Sequence, residues 1–231
     1  MTLIWPAQPM RDPDIFVTDF SEYTVGAQPP DWTNRYVTGG FTFLVQNSAG
    51  SISGQALRWT KTASNRQAIS WDRVPLVADV EILMRARKIT AGSDSDNFVN
   101  LYARGSGSAG SETGYRMATG NTTNGNKWSH ALTRYSAGSG SAIGGQGLPS
   151  PTDMSTNAWF WARFRLSGTQ FLRRAWLDSN SEPGTWANTD TDSGVTSVGW
   201  VGLHNVTSSP NVEIDFYSVA LRGKTAPRAK R

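Results

Sequence analysis

Nowhere in this chain of 231 residues do apolar side chains keep the i, i+3, i+4 spacing of an amphipathic helix over twelve residues; they alternate instead. A period of two sends successive side chains to opposite faces of a strand, so such segments bury one face of a sheet against another. The alternating runs fall at 15–20, 41–46, 56–60, 67–72, 78–88, 97–104, 114–118, 127–136, 158–166, 170–178, 197–205 and 212–221, bounded by Gly, Ser, Asn and Pro. The pattern predicts an all-β protein whose two antiparallel sheets pack as one sandwich over residues 15–223.

The segment NAWFWARFRLSG is the clearest strand. Ala158, Phe160, Ala162, Phe164 and Leu166 share one face, suited to the core, and Trp159, Trp161, Arg163 and Arg165 share the other, where Arg can stack on Trp. Ser167-Gly168-Thr169 then turns the chain into QFLRRAWLDS, which predicts a hairpin. The Gly/Ser-rich stretches RGSGSAGSETG, TGNTTNGN and SAGSGSAIGGQG read as connections inside one domain. Residues 1–14, with Pro6, Pro9 and Pro13, read as an extended arm, and residues 224–231 as a short basic tail.

Ten Trp, nine Phe and six Tyr supply a large core, and the absence of Cys excludes disulfides, thiolate chemistry and Cys-based zinc sites. The N-terminus has no basic start before an apolar run, and no stretch approaches 18 apolar residues. A soluble chain made in a cytoplasm, without Sec export and with no membrane partner, is therefore expected, and the sequons at Asn121 and Asn205 are read as coincidental. Of the net charge of +4, Lys224, Arg228, Lys230 and Arg231 account for all; without them, 18 basic residues balance 18 acidic ones. Four charges with no interleaved aromatic residue are a thin footprint for nucleic acid. Trp5, Arg11, Lys224, Arg228, Lys230 and Arg231 are instead candidate contacts to neighbouring protein subunits.

The strand VEIDFYSVAL carries Glu213 and Asp215 on one face, as a retaining glycosidase would require of a nucleophile and its helper. The family 16 glycanase pattern needs a second Glu at 217 or 218, where this chain has Tyr217 and Ser218. With no acid/base, no catalytic residue is assigned; Val212, Ile214 and Phe216 are expected in the core and Glu213, Asp215 and Tyr217 on the other face. No metal or cofactor is expected either. His130 and His204 are isolated, and Asp94-Ser95-Asp96-Asn97 and Asp190-Thr191-Asp192 read as solvated turns ahead of calcium loops. Trp32, Tyr115, Trp128, Tyr135 and Trp186 lie at expected strand ends or in loops and are candidate stacking platforms for sugar, with core packing the competing reading.

Several pieces taken in order carry a resemblance: Asp19-Phe20, YTVGAQPPDWTNRY, ALRW, DVEILMRARK, GSGSAGSETGYRM, WFWARFRLSGTQFLRRAWLDSNSEPGTW and a final FYSVAL. The most specific are Gly26 to Trp32 and the series Trp161, Arg163, Arg165, Trp176, Asp178, Glu182, Pro183, Trp186. The chain resembles the concanavalin A-like, laminin-G-type jelly-roll domains of tailed-bacteriophage virion proteins over residues 14–223. The resemblance implies a non-enzymatic structural protein of a virion, as a decoration, spike, tail or baseplate component. Its implied partners are other virion proteins and copies of itself, as a homo-oligomer such as a trimer. A lectin-like module that binds host surface glycan is the alternative it implies; a family 16-like glycanase ranks below both.

Overall fold

The computed structural model describes residues 12–37, 41–61, 66–90, 99–121, 128–147, 156–205 and 211–229, and every regular element among them is a β-strand. In chain order these are β1 (Ile15–Thr18), β2 (Trp32–Val37), β3 (Phe41–Asn47), β4 (Gln55–Lys61), β5 (Gln67–Trp71), β6 (Val80–Lys88), β7 (Asn100–Ser106), β8 (Thr113–Met117), β9 (Gly120–Asn121), β10 (Trp128–Ser136), β11 (Ser139–Gly147), β12 (Phe160–Ser167), β13 (Gln170–Leu177), β14 (Asn188–Thr191), β15 (Trp200–Asn205) and β16 (Val212–Leu221). The first sheet runs β14-β13-β12-β6-β16-β4-β3, with β1 also on β16; the second runs β11-β10-β8-β7-β15-β5-β2, with β9 on β10. All pairings given for these strands are antiparallel, and together they form the two-sheet sandwich that alternation predicts and the jelly roll that the resemblance implies.

Strands with an apolar alternating face sit where the sequence puts them. The strands it misses are β2, β9, β11 and β14, which have little apolar alternation to read. In β11, SGSAIGGQG, pairing is set by the preceding turn: Ala137 and Gly138 take φ of 47° and 84°, the two positive values of a tight hairpin turn, and Ser136 pairs with Ser139. A side chain at 138 would strike the Gly110 carbonyl oxygen. In β2 a bulge between Asn34 and Tyr36 interrupts the alternation, so Trp32 points into the core and Tyr36 away from it.

The core between the sheets is rich in aromatic rings. Trp32 and Trp71 stack at 5.7 Å, and Tyr217 from the first sheet meets both edge-on, at 5.3 and 5.6 Å. The Tyr217 hydroxyl donates to the Gly202 carbonyl oxygen at 3.2 Å, riveting β16 to β15. This reverses the expected orientation. Asp215 stands in a bulge: Ile214 pairs with Ala86 and Phe216 with Arg85, so the alternation flips between them. Val212 and Ile214 face the core before the bulge; Tyr217, Val219 and Leu221 face it afterwards, and Phe216 turns outward.

Candidate functional site

Both sheets present an outer face, and the two are built differently. On the first, the strand with the glycosidase-like carboxylates is buried along its whole length. Glu213 accepts hydrogen bonds from Arg58 Nη2 at 2.6 Å, Arg87 Nε at 2.8 Å and Ser48 Oγ at 2.7 Å. Burial alone would raise its pKa, but these donors outweigh it and hold the carboxyl below its usual range. Asp215 accepts from Arg85 and from the Ile52 N–H, at 2.8 Å for the latter. There burial prevails and pushes the carboxyl up to about 7. Both groups are committed to arginines of their own chain.

The same face explains the basic tail. Arg163 pairs with Glu81 and Glu182 and donates to the Ala226 carbonyl oxygen at 2.8 Å; the Ala226 N–H donates to Glu81 at 3.1 Å, and Ser218 Oγ to the Pro227 carbonyl oxygen at 2.7 Å. Arg228 lies 4.7 Å over the Trp161 ring, and Lys224 binds Asp12 and Asp14 at 2.6 and 2.9 Å. Lys224 and Arg228, expected to reach neighbouring subunits, are therefore bound to the chain itself. Likewise the Trp161–Arg163 face, expected to be an open amphipathic surface, is buried beneath residues 224–229 because its charges find carboxylates and carbonyls there. Trp5, Arg11, Lys230 and Arg231 lie outside the described residues.

The candidate sugar platforms separate. Trp32 is a core residue. Tyr115 is too: its hydroxyl donates to Asp192 at 2.5 Å and accepts from the Val195 N–H. Neither offers a surface, because each ring fills the space between the sheets. Trp128 opens β10, but its side chain is outside the described residues. Trp186 is half-buried behind the turn at Glu182-Pro183, with the Arg174 and Arg165 guanidinium groups 4.4 and 5.4 Å from its ring. Tyr135 lies on the outer side of the second sheet but is only 5% exposed. Of the acidic loops, residues 94–97 lie outside the described residues, and Asp190 and Asp192 are paired with Arg173 and Arg134. Among the described residues no group of three or more His, Asp and Glu could hold a metal ion.

The outer face of the second sheet gathers Tyr36, Tyr102, Tyr135, Trp200 and His204. Tyr102 stacks on His204 at 4.8 Å and on Trp200 at 4.9 Å; Tyr36 and Tyr135 approach His204 at 5.9 and 5.3 Å. Trp200 lies flat over Gly105, where an added Cβ would come within 2.3 Å of its ring. In register beside Tyr102 stands Arg116, flanked on its other side by Thr133. Arg116 donates to Thr133 Oγ1 at 3.1 Å, while its Nε and Nη1 have no partner. Its guanidinium lies 5.5 Å from the Tyr135 ring, and that of Arg66 lies 5.9 Å from the same ring. Arg66 pairs with buried Glu112 and donates to the Gly138 carbonyl oxygen. Burial raises the pKa of Tyr36, Tyr102 and Tyr135, so these hydroxyls stay neutral.

Of this cluster the sequence reading singled out Tyr135 alone as a ligand residue. A signal was present: Tyr102, Trp200 and His204 occupy alternate, outward positions of strands whose other face is already apolar. Such strands carry large side chains on both faces, which solvation alone does not require.

No protein-family profile and no curated protein matches the chain. Solved structures do share its fold. The carbohydrate-binding module CBM66 from Bacillus subtilis is 15% identical with a TM-score of 0.50, over 80% of this chain and 91% of that one. A conserved carbohydrate esterase from the Shiga toxin-encoding bacteriophage phi24B is 15% identical with a TM-score of 0.55, over 90% and 96%. The exoplasmic/lumenal domain of VIP36, in its Ca2+-bound form, is 14% identical with a TM-score of 0.54, over 95% and 97%. The chain thus shares the two-sheet antiparallel β-sandwich fold of these structures.

Proposed function

We propose that this protein is a non-catalytic carbohydrate-binding module that holds sugar on the outer face of its second sheet. The observation that carries the reading is the contrast between the two outer faces. On the first sheet the chain covers its own tryptophans and ion-paired carboxylates with residues 224–229. On the second, aromatic rings that are themselves 6% exposed or less are gathered around an arginine that has no carboxylate. Sugars are recognised by rings that meet their C–H faces and by polar groups that meet their hydroxyls, and this face carries both kinds of group, closely packed, with no more than 9% of any of them exposed. The fold relatives named for carbohydrate binding support it. Against catalysis stands the commitment of Glu213 and Asp215 to arginines, with no free carboxylate beside them.

A glycan array followed by calorimetry on the hits tests the reading. Binding that weakens at least about tenfold in Tyr135→Ala, with no hydrolysis of β-glucan, is expected; absence of binding to any glycan at millimolar concentration overturns it. The second reading, a structural subunit of a phage particle, is favoured by the likeness to a bacteriophage protein over 90% of the chain. Detection of the chain in purified particles, and its contacts there, test it.

A further inference from the structure

Among the described residues, β1 pairs with β16 alone, and its other edge meets no strand. The Leu221 N–H donates to the Asp14 carbonyl oxygen at 2.9 Å, which makes Asp14 and Leu221 a hydrogen-bonded pair; by alternation Phe16 and Thr18 also turn their backbone groups to β16. Ile15 and Val17 turn theirs the other way. The Ile15 N–H donates to the Asp12 carbonyl oxygen at 3.1 Å, but no described residue meets the N–H or carbonyl oxygen of Val17. An edge of this kind is a template for a further strand.

A trough runs along the edge. Two open clefts of about 650 and 390 Å³ share Val17 and Arg73; the larger extends over Thr18, Asp19 and Glu22, the smaller over Asp12, Phe16 and Trp71. The trough is accessible, with Val17 43% exposed and the Arg73 side chain 41%. Arg73 is held on its wall by Glu22 and Asp31 and lies 5.4 Å from the Tyr23 ring. Its charge is met from within the chain, so the trough offers an incoming group chiefly backbone hydrogen bonds beside apolar surface. Those are the requirements of an extended polypeptide.

We propose that this trough is the docking site of the chain's own residues 1–11, added as a strand antiparallel to β1 with Met10 opposite Val17. The segment joins the described chain at Asp12, which lines the trough. From Asp12 to Ile15 the backbone makes a tight turn, in which the Asp14 N–H also donates to the Asp12 carboxylate at 3.0 Å and Pro13 takes the position its fixed φ favours. A four-residue turn closed on β1 directs the preceding residues back along the free edge. With Asp12 opposite Ile15, Met10 falls opposite Val17, whose two backbone groups are unmet, and Pro9 opposite Thr18. Thr18 already gives its backbone groups to β16, so the N–H that Pro9 lacks is not needed there. At about 3.3 Å per residue, eleven extended residues span roughly 36 Å against about 13 Å for the four of β1. Attachment at the mouth of the trough sets an effective concentration of about millimolar, which favours the chain's own segment over that of another copy.

Hydrogen exchange of the intact chain, read amide by amide by NMR, tests the assignment. The Val17 amide is expected to exchange at least about 100-fold more slowly than an unprotected amide. Met10→Pro, outside the sandwich, removes the N–H that donates to the Val17 carbonyl oxygen and is expected to speed Val17 exchange by about tenfold or more. The Phe16 amide, bonded to β16, must stay protected in both proteins, which shows that the sandwich is intact. Exchange of Val17 at the unprotected rate in the intact chain overturns the proposal, as does protection that Met10→Pro leaves unchanged. Protection that rises with protein concentration shows the segment of a second copy on the edge and overturns the assignment to the same chain.

Discussion

The Arg163 guanidinium donates to the carbonyl oxygen of Ala226 at 2.8 Å, and so ties the end of the described chain to the middle of its first sheet. The contact sits among buried charges, with Glu81 on one side and Glu182 on the other. Deleting residues 224–231 would uncover Trp161, Trp176 and Glu81. A loss of about 2–4 kcal/mol in unfolding free energy is expected, from lost burial together with hydrogen bonds removed from buried charges. Urea denaturation of the truncated and full chains measures it; equal midpoints would show that residues 224–229 contribute nothing.

Arg163→Met is expected to be at least as severe, about 3–5 kcal/mol, because it leaves Glu81 and Glu182 short of a buried partner. Arg222→Met, at an exposed position on the same side, should change stability by less than about 0.5 kcal/mol. Comparable losses in the two variants would contradict the buried network.

Glu213 and Asp215, two positions apart, should titrate in opposite senses. Asp215 has its pKa raised to about 7 in the fold, above the ordinary 3.8, so its contribution to stability is present below pH ~3.8 and is lost as pH rises through about 7. Glu213 is held below its ordinary 4.5, so its contribution is present above pH ~4.5 and is lost as pH falls through the lowered value. Asp215→Asn should flatten the decline in stability between pH 4 and 7, whose slope cannot exceed about 1.4 kcal/mol per pH unit for one proton. Glu213→Gln should leave that window unchanged. Stability measured against pH in the two variants distinguishes them, and an unaltered slope in Asp215→Asn refutes the assignment.

At Gly202 the backbone of β15 passes so close to β5 that an added Cβ would lie 1.9 Å from the Ile69 carbonyl oxygen. Neither strand can retreat, since β15 is also paired with β7 and riveted by Tyr217. Gly202→Ala should therefore cost about 3 kcal/mol or more, at the upper end of what overpacking a core usually costs. Gly184→Ala, with open space around the site, should change thermal stability little.

Alternation is legible in one sequence wherever a strand has one apolar and one polar face, as in β3, β6 and β12. It fails where a bulge changes the count: nothing in VEIDFYSVAL marks Asp215 as the bulged residue, so the orientation of Phe216 and Tyr217 was inverted. It also fails for SGSAIGGQG, whose strand is imposed by the Ala137-Gly138 turn and by pairing with β10. The tail was legible as a cluster of charge, but charge alone does not say whether its partner is another molecule or the chain's own Glu81 and Asp12. The lack of a carboxylate beside Arg116 was invisible for a related reason: an absence of that kind exists only once the neighbours are in place.

The central claim is that sugar binds on the outer face of the second sheet. Amide and aromatic chemical-shift mapping during titration with a glycan that binds on the array is the sharpest test. The account predicts saturable shifts at Tyr36, Tyr102, Arg116, Tyr135 and His204, with little change at Trp161, Trp176 and Glu213 on the opposite sheet; shifts confined to the first sheet, or none at saturating sugar, would contradict it.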